Sequence, residues 1–273
     1  MIGISMRPED AAGHKGLFEY GFLNGLYDSG VRSVELRPVR ADADREIVRR
    51  AAWNIRYRGL RVSVHADPRS CETAVSDVLD PLNCFMDDTE QRDTVIVLHP
   101  QRGKDLVGDN SKMLERLIRE CEKSGWSVRF AVENTRKMPD GTPGDGAELV
   151  KRIVEPFDPS VCGICFDFGH YAWYTRFWEN GTVLPPKGFA ERVIHTHIHA
   201  LAGAEKDHTT HFPLSAGKVP LGEYIGCIPA DNAVVYNLEL EPGRFAGLMN
   251  MEQGITESLP VLFRTLSSLG RIQ

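Results

Sequence analysis

The chain has 273 residues, 42% of them hydrophobic and 26% charged, with a formal net charge of −6. That is ample apolar material for a large core. The acidic balance, with no basic run longer than Arg49-Arg50, weighs against a dedicated nucleic-acid binder, because phosphate contacts need clustered Lys and Arg. No segment approaches the roughly 20 apolar residues of a membrane helix. Met1 leads straight into a short apolar strand with no signal-peptide pattern, so the expected location is cytoplasmic.

Strand-like and helix-like stretches alternate from end to end. Residues 2–5 read as a strand, and 14–29 as a helix closed by Gly30. Residues 31–37 alternate cleanly and stop at Pro38. Residues 42–58 are helical, acidic early and Arg-rich late as the helix dipole favours, and Gly59 ends them. Residues 60–65 form the third strand, 71 to 87 a looser helix, and 95–99 the fourth strand. An amphipathic helix follows at 110–123, with Leu114, Leu117 and Ile118 on one side.

Residues 128–133, 161–167, 193–199 and 234–241 supply four more strands. Helices are expected between them at 147–153, 171–178 and near 223–227, with a long polar loop over 202–220 and a closing helix at 256–269. No linker divides the chain, so residues 1–273 read as one domain. Eight strands alternating with helices imply the α/β class and a single (β/α)8 TIM barrel, with a doubly wound open sheet as the alternative. The six Cys are scattered; Cys162 and Cys165 alternate on one strand and face opposite sides, which suits buried reduced thiols better than a redox pair or zinc knuckle.

In such a barrel the catalytic groups sit at the C-terminal ends of the strands. The last inward residues of the strands are His65, His99, Glu133, Asp167, His197 and Glu239, all metal-ligand types. Converging on one mouth, they would bury several charges together, which a cation would neutralise. Glu133, Asp167, His197 and Glu239 form a mixed oxygen and nitrogen set suited to Mn, Mg, Co, Fe or Zn, and His65 and His99 leave room for a second ion. Asp167 also reads as a helix N-cap.

On strand seven His195, His197 and His199 all point inward: His197 is favoured as ligand, His199 is placed in the mouth against substrate, and His195 lower in the barrel. Glu239 is favoured over Glu241, which shares its face. Glu35 and Arg37 end strand two inward, either as an ion pair or with Arg37 reaching a substrate phosphate or carboxylate. His170 is read as a contact to substrate or a second metal, or as a cap. The loop HTTHFPLSAGKVPLG offers His211, with His208 weaker.

In order, the stretches SVHADP, VIVLHP, AVEN, CFDFGH, HTHIH, HFPLSAGKV and LELEP resemble the xylose-isomerase-like barrels, which contain sugar-phosphate isomerases and epimerases together with apurinic endonucleases. The resemblance covers nearly the whole chain. It implies one divalent metal held by Glu133, Asp167, His197 and Glu239, with Glu133 and Glu239 as the acid/base pair that moves a proton beside a carbonyl. It makes His170 a substrate contact. In the endonuclease branch His65 and His99 match positions that help hold a second zinc, and His211 a ligand of a third.

The chain departs from both branches. Thr209 stands where the endonucleases have an Asp, for which Asp207 is the substitute at hand, and Ala200-Leu201-Ala202-Gly203 replaces acidic and amide residues, with Gly203 where the epimerases have an Arg. The expectation is a divalent-metal isomerase or epimerase of a sugar, sugar phosphate or polyol, its partner a small carbohydrate-like molecule, with homo-oligomerisation left open. The alternatives are a zinc phosphodiesterase of the apurinic endonuclease type and a binding or regulatory barrel.

Overall fold

A computed structural model describes residues 1–13, 21–86, 94–142, 144–203 and 209–272. Its barrel is closed by eight parallel strands: β1 (Ile2–Met6), β2 (Ser33–Arg40), β3 (Arg61–Asp67), β4 (Thr94–Leu98), β5 (Val128–Glu133), β6 (Cys162–Asp167), β7 (Val193–Ile198) and β10 (Val235–Leu238). Each pairs with the next in this order, and β10 closes on β1. Between β7 and β10 lies a separate antiparallel ribbon, β8 (Ala200–Ala202) and β9 (Thr209–Phe212).

The helices are α1 (Pro8–Ala11), α2 (Phe22–Gly25), α3 (Arg45–Tyr57), α4 (Ala74–Met86), α5 (Leu106–Lys123), α6 (Gly146–Val154), α7 (Phe168–Tyr174), α8 (Phe177–Asn180), α9 (Leu221–Cys227) and α10 (Met251–Ser268). Their starts are written in the sequence. Asp44, Asp105, Asp145, Asp167 and Asn250 each take a backbone N–H of the following first turn on the side chain. Helix α3 buries Val48, Ala51, Ala52 and Ile55, the 3.6-residue stripe that a barrel's outer helix turns to the strands.

The barrel interior is divided. Val95, Val97, Ala131, Cys165 and Ile194 form a small apolar plug of their own, apart from the main core between strands and helices. Cys162 belongs to that outer core and Cys165 to the plug, and all six thiols are free. The remaining interior carries buried polar groups, among them Ser5, Glu35, His195 and Asn237. Gly3 makes room for Asn237, since a Cβ there would come within 2.8 Å of its Oδ1.

Several boundaries differ from the sequence expectation. Strand β2 does not stop at Pro38; the ladder with β3 shifts register between Leu36 and Val39, because a proline offers no N–H, and then resumes to Arg40. The helix expected at 171–178 starts at Phe168 and breaks at Arg176, whose φ of 53° cannot continue a helix, so two short helices stand there. Helix α10 begins at Met251 rather than Thr256, through a capping box between Asn250 and Gln253. The polar loop over 202–220 contains β9. Of the helix expected at 14–29, residues 14–20 lie outside the described residues, as does the end of the helix expected to reach residue 87. No helix among the described residues is long and apolar enough to cross a membrane.

Candidate metal centre

Strand register sets the level of the site. Asp167 on β6 pairs with His197 on β7, His197 with Asn237 on β10, and Glu133 on β5 with Cys165 on β6. Inward residues at the C-terminal strand ends therefore meet in one layer. Glu133, Asp167, His197 and Glu239 are all buried, and one ligand-type atom from each lies within 4.8 Å of the others. His65, His99 and Glu133 form a second convergence that shares Glu133.

Nδ1 of His197 lies 2.9 Å from Oε2 of Glu133 and 3.2 Å from Oε2 of Glu239. None of these three buried atoms makes a hydrogen bond. Buried polar atoms are rarely left without partners, and a ring nitrogen and two carboxylate oxygens at such distances repel unless a proton or a metal cation lies among them. A hard or borderline divalent ion fits this donor set.

The other nitrogen of His197 is already engaged. Its Nε2 lies 3.0 Å from Oε2 of Glu35, which also lies 2.9 Å from Nε2 of His195. Ser5 Oγ donates to Glu35 Oε1 at 2.9 Å and itself accepts from Asn237 Nδ2 at 2.8 Å. A carboxylate at Nε2 keeps the proton there and leaves the Nδ1 lone pair free. His195 is thus low in the barrel and bound to Glu35. The Glu35–Arg37 pair is not formed: Glu35 turns to the histidines, while Arg37 Nε lies 2.8 Å from Glu239 Oε1.

The remaining histidines surround the carboxylates. His99 Nε2 lies 3.2 Å and His65 Nε2 3.5 Å from Glu133 Oε2. His170 Nδ1 lies 3.2 Å from Glu133 Oε1 and 3.3 Å from Asp167 Oδ2. His211 Nε2 is 3.5 Å from Glu239 Oε2. His199 is fully buried behind Asp167 rather than open in the mouth, its Nε2 3.1 Å from Asp167 Oδ1. Asp167 is at once a helix cap and a member of the cluster: its Oδ1 accepts the His170 N–H at 2.6 Å. Glu241 lies outside, exposed and paired with Arg244 at 2.9 Å. Asp207 and His208 lie outside the described residues.

The charges respond to one another. Burial pushes the Glu133 carboxyl up, but His99, His197 and His170 outweigh it and hold the group well below the usual carboxylate range. Burial likewise opposes ionisation of Glu239, and Arg37 and His197 reverse it. His197 is held well above the ordinary imidazole value: burial lowers it, but the carboxylates Glu239, Glu35 and Glu133 prevail. Burial brings His211 down to about 4, so its ring is neutral.

A family model described as Xylose isomerase-like TIM barrel matches residues 26–262. The chain belongs to the xylose isomerase-like TIM barrel family. Solved structures of the same architecture include a xylose isomerase domain protein from Planctomyces limnophilus (TM-score 0.65, 14% identity, 99% of each chain covered). A sugar phosphate isomerase/epimerase from Parabacteroides distasonis ATCC 8503 superposes with a TM-score of 0.61 at 15% identity, over 95% of this chain and 94% of that one. The IolI protein, solved with a bound zinc atom, gives 0.59 at 12% identity over 98% of each chain. At these identities the likeness to this xylose isomerase-like barrel is one of fold. No curated protein matches it in sequence.

Reading strand ends located the carboxylates and histidines of the cluster, but it did not reveal Glu35 as the partner of His197 and His195. The signal available was an acidic residue facing inward one turn of the pleat below Arg37, on a strand that lies away from β7 in the barrel order.

Proposed function

We propose that the chain is a divalent-metal isomerase or epimerase of a sugar, sugar phosphate or polyol, with Glu133, Asp167, His197 and Glu239 holding the ion. The observation that carries this reading is the pair of buried carboxylates, Glu133 and Glu239, facing the same His197 Nδ1 from different strands. A divalent ion bound there polarises a carbonyl and its neighbouring hydroxyl and acidifies the C–H between them. Glu133 and Glu239 are the proton carriers, removing the C–H proton from one side and returning it to the neighbouring carbon or the opposite face.

The surroundings serve that role. Arg37 holds Glu239 ionised through its 2.8 Å contact. His170 and His99 flank Glu133 and are placed to bind substrate hydroxyls. Arg136, three residues beyond Glu133 and over the ring of Trp173 at 5.7 Å, is a cation near the mouth for an anionic substrate group.

A second reading is phosphoester cleavage with more than one ion, favoured by the additional cluster of His65, His99 and Glu133. The test is hydrogen exchange. The Mg- or Zn-loaded chain is incubated with ketoses, ketose phosphates and polyol ketones in D2O, and deuterium uptake is followed by mass spectrometry. Uptake at the carbon beside the carbonyl, reduced about 10²- to 10⁴-fold in Glu133→Gln and Glu239→Gln, supports the proposal. Nicking of an abasic-site duplex with no uptake from any ketone would overturn it.

A further inference from the structure

His199 is one of a buried group, with Asp167, His170 and His211, whose ligand-type atoms converge within 4.8 Å and which could be taken for a second ion site. The hydrogen bonds of His199 argue otherwise. Its Nδ1 accepts the backbone N–H of His211 at 2.8 Å. An N–H donor at Nδ1 needs the lone pair there, so the ring proton is on Nε2. Nε2 lies 3.1 Å from Oδ1 and 3.2 Å from Oδ2 of Asp167, and its N–H donates to that carboxylate. A ring that accepts at one nitrogen and donates at the other has no lone pair left for an ion. Protonation of Nδ1 instead would aim a donor at Ala200 O, 3.4 Å away, and set it against the much closer His211 N–H.

The ring is also fixed in place. It stacks on the His211 ring with centroids 4.2 Å apart and planes at 20°. Its other side fills the space beside Gly169, where a Cβ would come within 1.9 Å of the imidazole. His211 reaches this position with a φ of 62°, a conformation few residues other than glycine adopt, held at a site where the strained backbone directs its N–H at His199. The same residue brings its own Nε2 to 3.5 Å from Glu239. Strand β9 therefore reaches the cluster twice, through His199 to Asp167 and through the His211 ring to Glu239.

We propose that His199 is a positioning residue, a tautomer-locked donor that orients Asp167 for the ion, and that the β8–β9 ribbon sets its tautomer through the backbone of His211. The inference rests on the metal reading above. It assigns two of the three histidines of β7 and its end different work: His197 presents a lone pair to the ion, and His199 presents a proton to a carboxylate that holds it.

Two variants separate the roles of the ring nitrogens. In His199→Asn the side-chain oxygen keeps the acceptor for the His211 N–H and the donor to Asp167 is lost. In His199→Gln the amide keeps the donor and the acceptor is lost. Each is loaded with Co2+, and affinity is read by chelator competition, ion count by titration and ligand geometry by the visible spectrum. We expect Gln to bind within about threefold of wild type and Asn about 10- to 100-fold more weakly, with the number of ions per chain unchanged in both. Loss of one ion in both variants would make His199 a ligand and overturn the proposal. Wild-type affinity in Asn would overturn it as well, while leaving the metal reading standing. Failure of the wild-type chain to bind Co2+ would overturn both.

A mutation-free check uses ¹⁵N-labelled wild-type protein, in which the long-range ¹H–¹⁵N spectrum reports the tautomer directly. A His199 ring protonated at Nε2 with a bare Nδ1 is expected. A ring protonated at Nδ1 would overturn the assignment even if the variants fail to fold.

Discussion

The Glu35 carboxylate lies 3.0 Å from Nε2 of His197, a fully buried contact between β2 and β7 that holds a proton at Nε2 and leaves Nδ1 as the nitrogen an ion would take. Carboxylate–histidine pairs of this kind orient a metal-binding imidazole and raise its basicity.

Glu35→Gln should therefore weaken ion binding about 10- to 100-fold although it replaces none of the four proposed ligands. The amide can place either its oxygen or its NH2 at His197 Nε2, and the latter would move the ring proton to Nδ1. Chelator competition on the folded variant measures the effect. Affinity equal to wild type would show that the tautomer is set by something else.

Ion binding should release protons and strengthen with pH. His197, His99 and His170 are all held above the ordinary imidazole value: burial opposes this in each, and neighbouring groups, chiefly carboxylates, overcome it. In the ion-free chain their protons stabilise the fold fully below about pH 6.5, and that contribution is lost as pH rises through the raised values. An ion competes with those protons, so its affinity falls as pH falls. Calorimetry in buffers of different ionisation enthalpy reads the proton release. At a free ion concentration of 100 times Kd the ion should add about 2.7 kcal/mol to stability, a rise in Tm of about 5–10 °C that a chelator reverses.

Gly169→Ala should damage the centre from behind. The added Cβ would meet the His199 ring at 1.9 Å, and the ring, stacked on His211, has little room to retreat. The expected cost is about 1–3 kcal/mol of overpacking, with ion affinity reduced because His199 is displaced from Asp167. Thermal unfolding with and without ion separates the two effects. Unchanged ion affinity would mean that Asp167 keeps its orientation without the ring.

The barrel was legible because apolar runs alternate with helical stretches, and eight such units leave few other topologies. The convergence of His65, His99, Glu133, Asp167, His197 and Glu239 followed from one rule, that inward residues at strand ends share a mouth. Distances across the barrel are another matter. Glu35 and Arg37, neighbours on one strand, read either as an ion pair or with Arg37 reaching a substrate group, yet Glu35 finds His195 and His197 and Arg37 finds Glu239. His199 looked open to the mouth because alternation gives its side and not what covers it. The cover is β9, a strand too short for a periodic signal and dependent on the positive φ of His211.

The most direct test of the account is the number of divalent ions held per chain, measured by elemental analysis on protein purified without chelator and again after ions are added back, beside Glu133→Gln and Glu239→Gln. The account predicts about one tightly held ion in the wild type and marked loss in both variants, with their far-UV circular dichroism unchanged, as expected for carboxylates that bind a metal rather than build the fold. A wild-type chain that stays folded and takes up no ion after add-back would contradict it.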